Sequence, residues 1–277
     1  MEIRYLSQGT TMTASRHPNL RSIALPAEHG GWGFLLEPIL LALLVAPSWW
    51  GLLLSIAIIS LFLMHQPLKL AIKDNLKQRR VERTPWAERF VLFYGGIGIG
   101  IILLIINYKG LAVLYPLIAG SSFALIQLSY DARNRSREII PELSGAFALA
   151  ATASSMALLA GWQILPSAML WLLLAARALT AIVYVRARLR LAFKRSHNKV
   201  LVYWLHLGAL IFLLVLSQQG YIPVLSLSAM VMLSIRAYKG LAFPKEGVKP
   251  KAIGFGEMGF GFAYTLLVAV GYWINLL

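Results

Sequence analysis

Few polar side chains fall inside the apolar runs of this sequence, and those few are the ones whose presence needs a chemical reason. His65, Lys69 and Lys73 stand four residues apart, with Gln66 beside the first. On a helix that spacing makes one stripe. Arg177, Thr180, Tyr184 and Arg188 follow at intervals of three and four and make a second. His29 and Glu37 lie near the start of one apolar run; Tyr130 and Asp131 close another, Glu142 opens the next, and Asp74 follows Lys73. An ionised side chain in a spanning helix costs roughly 2.5–3.5 kcal/mol on insertion scales. The two cationic stripes are therefore expected to face each other across a polar cavity, or to face Glu37 and Glu142. Cations at matching depth suit a phosphate or carboxylate head group, and arginine fits its fork geometry. The expected ligand-binding set is His65, Gln66, Lys69, Lys73, Asp74, Asp131, Glu142, Arg177, Thr180 and Arg188. For proton transfer the candidates are Glu37 or His29 as base, with Tyr130 or Tyr184 assisting. A purely structural alternative pairs Lys69 with Glu37 and Arg177 with Glu142 as helix clamps, while Lys73 and Arg188 reach toward the interface.

The elements that position these residues are membrane helices. The hydrophobic set is 58% of 277 residues and the charged set only 13%. Mean hydropathy is +0.69. Soluble domains carry about a quarter charged residues, so a soluble enzyme is excluded. A spanning helix needs about 20 mostly apolar residues. Nine stretches qualify: 31–46, 50–71, 89–107, 111–130, 140–161, 166–186, 200–217, 222–239 and 257–276. The linkers 72–89, 131–142, 186–199 and 236–257 carry 6, 3, 6 and 5 Lys and Arg, and the N-terminal segment adds 3. The opposite loops hold only Lys109. That asymmetry predicts a cytosolic N-terminus and, after nine spans, a C-terminus on the other side. Glu37 then lies about 9 Å along the first span, and Arg177 a similar distance from the end of the sixth. Small residues in the third, fifth and ninth spans mark packing faces rather than chemistry.

Two domains are expected: a polar cytosolic arm over 1–28, without the apolar core of a signal peptide, and a transmembrane helical domain over 29–277. The absence of cysteine excludes disulfides, thiolate metal sites and a cysteine nucleophile. A net charge of +15 is placed in membrane-flanking loops, so lipid head groups rather than nucleic acid are the expected partners. The glycine strings follow no strand and are not a dinucleotide fingerprint.

The stretch EHGGWGFLLEPILLALLVAPSWWG (28–51), with HQPLKLAIKDNLKQRR (65–80), SYDARNRSREIIPELSGAFALA (129–150) and YVRARLRL (184–191), resembles the YwiC-like family of bacterial membrane proteins. The resemblance implies a bacterial cytoplasmic-type membrane. The nine-span layout also resembles the UbiA-type intramembrane prenyltransferases. That family carries N-D-x-x-D-x-x-x-D at the end of its second helix and D-x-x-Y-A-x-x-D-x-x-x-D at the end of its sixth. Their carboxylates hold magnesium and, through it, a prenyl diphosphate. Here the corresponding positions read His65, Gln66, Lys69 and Lys73, then Arg177, Thr180, Ala181, Tyr184 and Arg188. The register is kept and the acids are replaced, mostly by cations or neutral polar groups. Lys and Arg supply charge that a metal would otherwise bring, so no cofactor is expected, magnesium included.

The expectation is an all-α polytopic membrane protein with a UbiA-like bundle. Its cytosol-facing basic cavity would bind an anionic isoprenoid or lipid-like ligand without metal. It would be a divergent prenyltransferase-like enzyme lacking the aspartate motifs, or a binder without chemistry. A small transporter of an organic anion or lipid, and a non-catalytic subunit of a membrane complex, are the alternatives. The sequence names no protein partner.

Overall fold

A computed structural model describes residues 20–26, 29–76, 78, 80–244 and 248–276. Among them there is no strand. A short helix α1 (Leu20–Ala24) leads into nine longer ones: α2 (His29–Val45), α3 (Trp49–Leu76), α4 (Thr84–Lys109), α5 (Tyr115–Ala132), α6 (Ile139–Leu159), α7 (Ile164–Ala192), α8 (Lys199–Gln218), α9 (Leu225–Ala242) and α10 (Pro250–Leu276). Each of the nine apolar stretches thus forms one helix. Seven of them are long and apolar enough to cross a membrane: α3 to α8, with α5 taken from Ala112, and α10. The apolar part of α2, Gly30–Val45, is shorter. The chain is a membrane-type helical protein whose described N-terminal residues include a docked turn. Ile23 of α1 is buried with Ala71 of α3 and Ala87 of α4.

Local chemistry sets the helix boundaries. Pro85 stands in the first turn of α4, where its missing N–H has no helical acceptor to lose. The Asn198 side chain accepts the Leu201 N–H at 2.9 Å and caps α8, satisfying one donor that every helix start leaves open. Gly110, Gly161 and Gly220 take left-handed backbone, with φ of 79°, 92° and 75°, in the linkers. Any other residue meets steric resistance there. Pro38 lies inside α2 and Pro67 inside α3. Each removes a helical hydrogen bond directly after Glu37 or Gln66.

Packing follows the small residues. α6 presents Gly145, Ala146, Ala150, Ala153, Ser154 and Ala157, all buried, and packs against α5, α7 and α2. At Gly120 of α5 an added Cβ would come within 2.9 Å of Ala151. Contact that close gains dispersion energy where lipid offers no hydrophobic drive between helices. The core joins Leu35 and Leu41 of α2, Met156 of α6, Leu170 and Leu173 of α7, and Val268 of α10.

The bundle has two chemically different ends. At one, tryptophans tie the helices: Trp273 donates to the Leu44 carbonyl at 2.8 Å, and the Trp162 and Tyr272 rings lie 5.6 Å apart. At the other, where α3, α5, α7 and α9 finish and α2, α4, α6, α8 and α10 begin, the helices are held by ion pairs. The chemistry-bearing residues of the sequence gather at that second end.

Candidate functional site

Four charges, three of them buried, form a chain across four helices. Glu37 of α2 and Arg177 of α7 pair at 2.7 Å, with side chains 2% and 3% exposed. Arg177 also donates to the backbone carbonyl of Glu257 on α10 at 3.2 Å, and its guanidinium stands 5.0 Å from the Phe34 ring centre. The Glu257 carboxylate pairs with Arg236 of α9. Arg236 lies 4.1 Å from the centre of the Tyr184 ring and 5.6 Å from that of Phe260. Two acids and two guanidinium groups therefore link α2, α7, α10 and α9. Desolvating a charge costs several kcal/mol unless a partner and hydrogen bonds offset it, and this arrangement supplies both.

Glycine makes the approach possible. A Cβ on Gly261 of α10 would run into the Glu37 carboxylate and the Arg177 guanidinium. At Gly33 of α2, a Cβ would stand 3.5 Å from the same carboxylate. Just beyond, the Tyr264 hydroxyl donates to the Leu173 carbonyl at 3.0 Å, which fixes α10 against α7. Thr180, one turn from Arg177, donates to the Ala176 and Arg177 carbonyls, both at 3.0 Å. Its hydroxyl serves its own helix.

The second stripe belongs to another cluster. On α3, His65 Nε2 lies 2.8 Å and Lys69 Nζ 3.2 Å from the carboxylate of Asp131 on α5. Asp131 is buried while His65 and Lys69 are partly exposed. Lys69 and Arg177 thus meet different acids, and α3 and α7 are not among the closely packed helix pairs. Asp74 accepts from Arg83 at 2.7 and 3.2 Å and from the Thr84 hydroxyl at 3.0 Å. This holds the Arg83 guanidinium above its ordinary value and clamps the α3–α4 turn. Glu142 of α6 pairs with Arg186 of α7 at 2.8 Å. The helix-clamp alternative names the right kind of contact and the wrong partners: the acid for Lys69 is Asp131, the cation for Glu37 is Arg177, and the cation for Glu142 is Arg186. Lys73 lies beside Asp74, and Gln66 is half-buried on α3. Tyr130 lies under the Arg135 guanidinium, 5.2 Å from its ring centre. His29 opens α2, and its side chain lies outside the described residues.

Open space lies on the other side of Arg236. A groove of about 710 Å³ runs between α7, α9 and α10, lined by Tyr184, Arg188, Tyr238, Lys239, Phe243 and Phe260 among others, with no acidic side chain among its described lining residues. A second groove of about 440 Å³ shares Lys239 and Phe260 with it and adds Arg236 and an apolar stretch of α9. Tyr184 and Arg188 are the two sequence-derived candidates that reach this space. The sequence reading misses Arg236, Lys239 and Glu257, because it counts them with the basic linker 236–257, and Phe260, which reads as one more apolar residue of the ninth stretch. A signal does exist: Glu257 is the one acid in an apolar, glycine-rich run from 252 to 276, and a lone acid there requires a cation.

Residues 25–157 match the family model described as YwiC-like protein. Over that stretch the chain is similar to the YwiC-like family. The match runs from the approach to α2 nearly to the end of α6 and contains Glu37, His65, Lys69, Asp131 and Glu142. Arg177, Arg236, Glu257 and both grooves lie outside it. No curated protein and no solved structure matches the chain.

Proposed function

We propose that this protein binds an anionic amphipathic ligand, isoprenoid or lipid-like, at the basic end of its helical bundle. In this reading all nine long helices span, α2 and α9 included, in a UbiA-like layout. The N-terminus and the basic linkers face the cytosol of a bacterial cell. The head group rests in the groove between α7, α9 and α10, and the apolar part lies along the helices. The observation that carries the reading is the described lining of that groove: aromatic and aliphatic side chains beside the exposed Lys239, with no acid among the described lining residues. Such a mixture suits a ligand with an apolar body and a negative head.

The expected head-group site between α3 and α7 gives way to this groove because Lys69 and Arg177 already neutralise Asp131 and Glu37. Of the proton-transfer candidates, Tyr184 borders the groove, and Glu37 connects to it through Arg177, Glu257 and Arg236. Any transfer chemistry of the prenyltransferase kind would draw on those two.

Native mass spectrometry of the protein extracted with its own lipids tests the reading. An anionic amphiphile should accompany the wild type and be depleted in Lys239→Gln, an exposed position whose change leaves the core untouched. Retention of the same anion at the same occupancy in that variant would falsify the reading.

A further inference from the structure

The second groove says what shape the ligand has. Ser228, Val231, Met232, Ile235 and Lys239 line it from α9, at spacings of three, one, three and four. Those spacings put all five on a single face of one helix. Eleven residues separate the ends of this stripe, about 16 Å at the helical rise of about 1.5 Å per residue. The wall opposite is Phe260 of α10. Val231 and Ile235 are 42% and 50% exposed, so the stripe opens sideways to whatever surrounds the bundle.

Charge marks one end of the stripe and not the other. Lys239 stands at the end where the two grooves join, with Arg236 a turn before it. Arg236 is already balanced by Glu257, its Nε donates to the Leu233 carbonyl at 3.3 Å, and its buried Nη2 has no acceptor among the described residues. Arg236 and Lys239 both line this groove, so an oxygen that presses in between them is a candidate acceptor for that N–H. At the other end Ser228 and aliphatic side chains carry no charge.

Resting on the anionic-amphiphile reading above, we infer that the ligand is a single-chain lipid phosphate. Its one alkyl or prenyl chain lies along the Ser228–Ile235 face of α9, and its phosphate sits against Lys239 and Arg236. The stripe is one helix face wide against one aromatic ring, which accommodates one chain. A phosphate monoester offers several acceptor oxygens and a charge of about −1.5 to −2, and it reaches Lys239 and the open Arg236 N–H together. The chain enters laterally from the bilayer, since the exposed edge of the groove is apolar. The chain site lies on α9 and α10, and its head-group end adjoins Tyr184 and Arg188 of α7, two of the positions that correspond to the prenyltransferase motifs.

Isothermal titration of the full-length protein in phosphatidylcholine nanodiscs tests this, with dodecyl phosphate, inorganic phosphate and dioleoyl phosphatidate as probes. Two exposed positions supply the variants: Val231→Trp fills the stripe, and Lys239→Gln removes the head-group charge. Dodecyl phosphate should bind the wild type, and each variant should weaken it about tenfold or more. Inorganic phosphate should bind more weakly and be indifferent to Val231→Trp. Unchanged dodecyl phosphate binding in Val231→Trp overturns the chain assignment and leaves the anionic-groove reading standing. Phosphatidate binding as tightly as dodecyl phosphate overturns the single-chain inference alone. Dodecyl phosphate binding that Lys239→Gln does not weaken overturns both.

Discussion

The contact of α2 with α7 and α10 and the contact of α3 with α5 meet one requirement in two ways. Each sets a buried acid against cations. Around Glu37 the cation is as dry as the acid: Arg177 is 3% exposed and the acid 2%. Around Asp131 only the acid is dry, and His65 and Lys69 keep 32% and 25% of their side chains exposed. A dry pair needs its partner to exist at all, whereas a half-wet cluster can exchange a lost partner for water or a lipid head group. The first contact therefore resembles a keystone of the fold, and the second a fastening at its edge.

The sharpest way to break that contrast is to remove one member of the dry pair. Arg177→Leu leaves Glu37 uncompensated, which costs about 3–5 kcal/mol and should lower the thermal midpoint in detergent by roughly 10 °C. Adding Glu37→Leu should recover much of the loss. A double variant no more stable than the single one would show that the two charges do not act as a pair. Gly261→Ala comes next, because its methyl group meets the same carboxylate and guanidinium. Crowding of that kind costs about 1–3 kcal/mol, and unchanged melting would mean that α10 stands farther from α2 than described. Asp131→Asn should cost less than Arg177→Leu, about 1 kcal/mol, since its cations reach solvent or head groups. Equal losses for the two variants would erase the distinction drawn here. The smallest effect belongs to Glu88, whose partner Arg80 is 80% exposed. Glu88→Gln should change stability by less than about 1 kcal/mol, as followed in the same melting curves.

The helices were readable because one physical requirement, burial of backbone polar groups in an apolar medium, imposes long apolar runs. All nine runs became helices, and α3 and α7 extend past their apolar limits to Leu76 and Ala192. Polar side chains were readable as a set, since each one inside such a run needs a reason. Their partners were not. Which acid meets Lys69 depends on the distance and rotation between α3 and α5, and nothing local in either helix records that. The error at 236–257 has a different origin. Arg236 and Glu257 stand where the stretches 222–239 and 257–276 meet the basic segment 236–257, so they count among the linker charges. In the fold they satisfy each other across two helix ends. A charge that compensates a distant charge reads, in one dimension, as a gap between helices. The groove is similarly invisible, because it is made by what α7, α9 and α10 leave unfilled.

The order in which the four linked charges are synthesised has a consequence for assembly. Glu37 lies on the first long helix to be made, Arg177 on the sixth, and Glu257 and Arg236 on the last two. At about 5–20 residues per second, the α10 carbonyl and carboxylate follow the first acid by roughly ten seconds or more. Until α7 is made, the growing chain holds a carboxyl group without the guanidinium that pairs with it in the finished fold. Glu37 must stay near water or carry a proton until α7 is inserted. Completion of the bundle is thereby tied to its final segment, and a chain halted before α10 would be left with an open seam along α2.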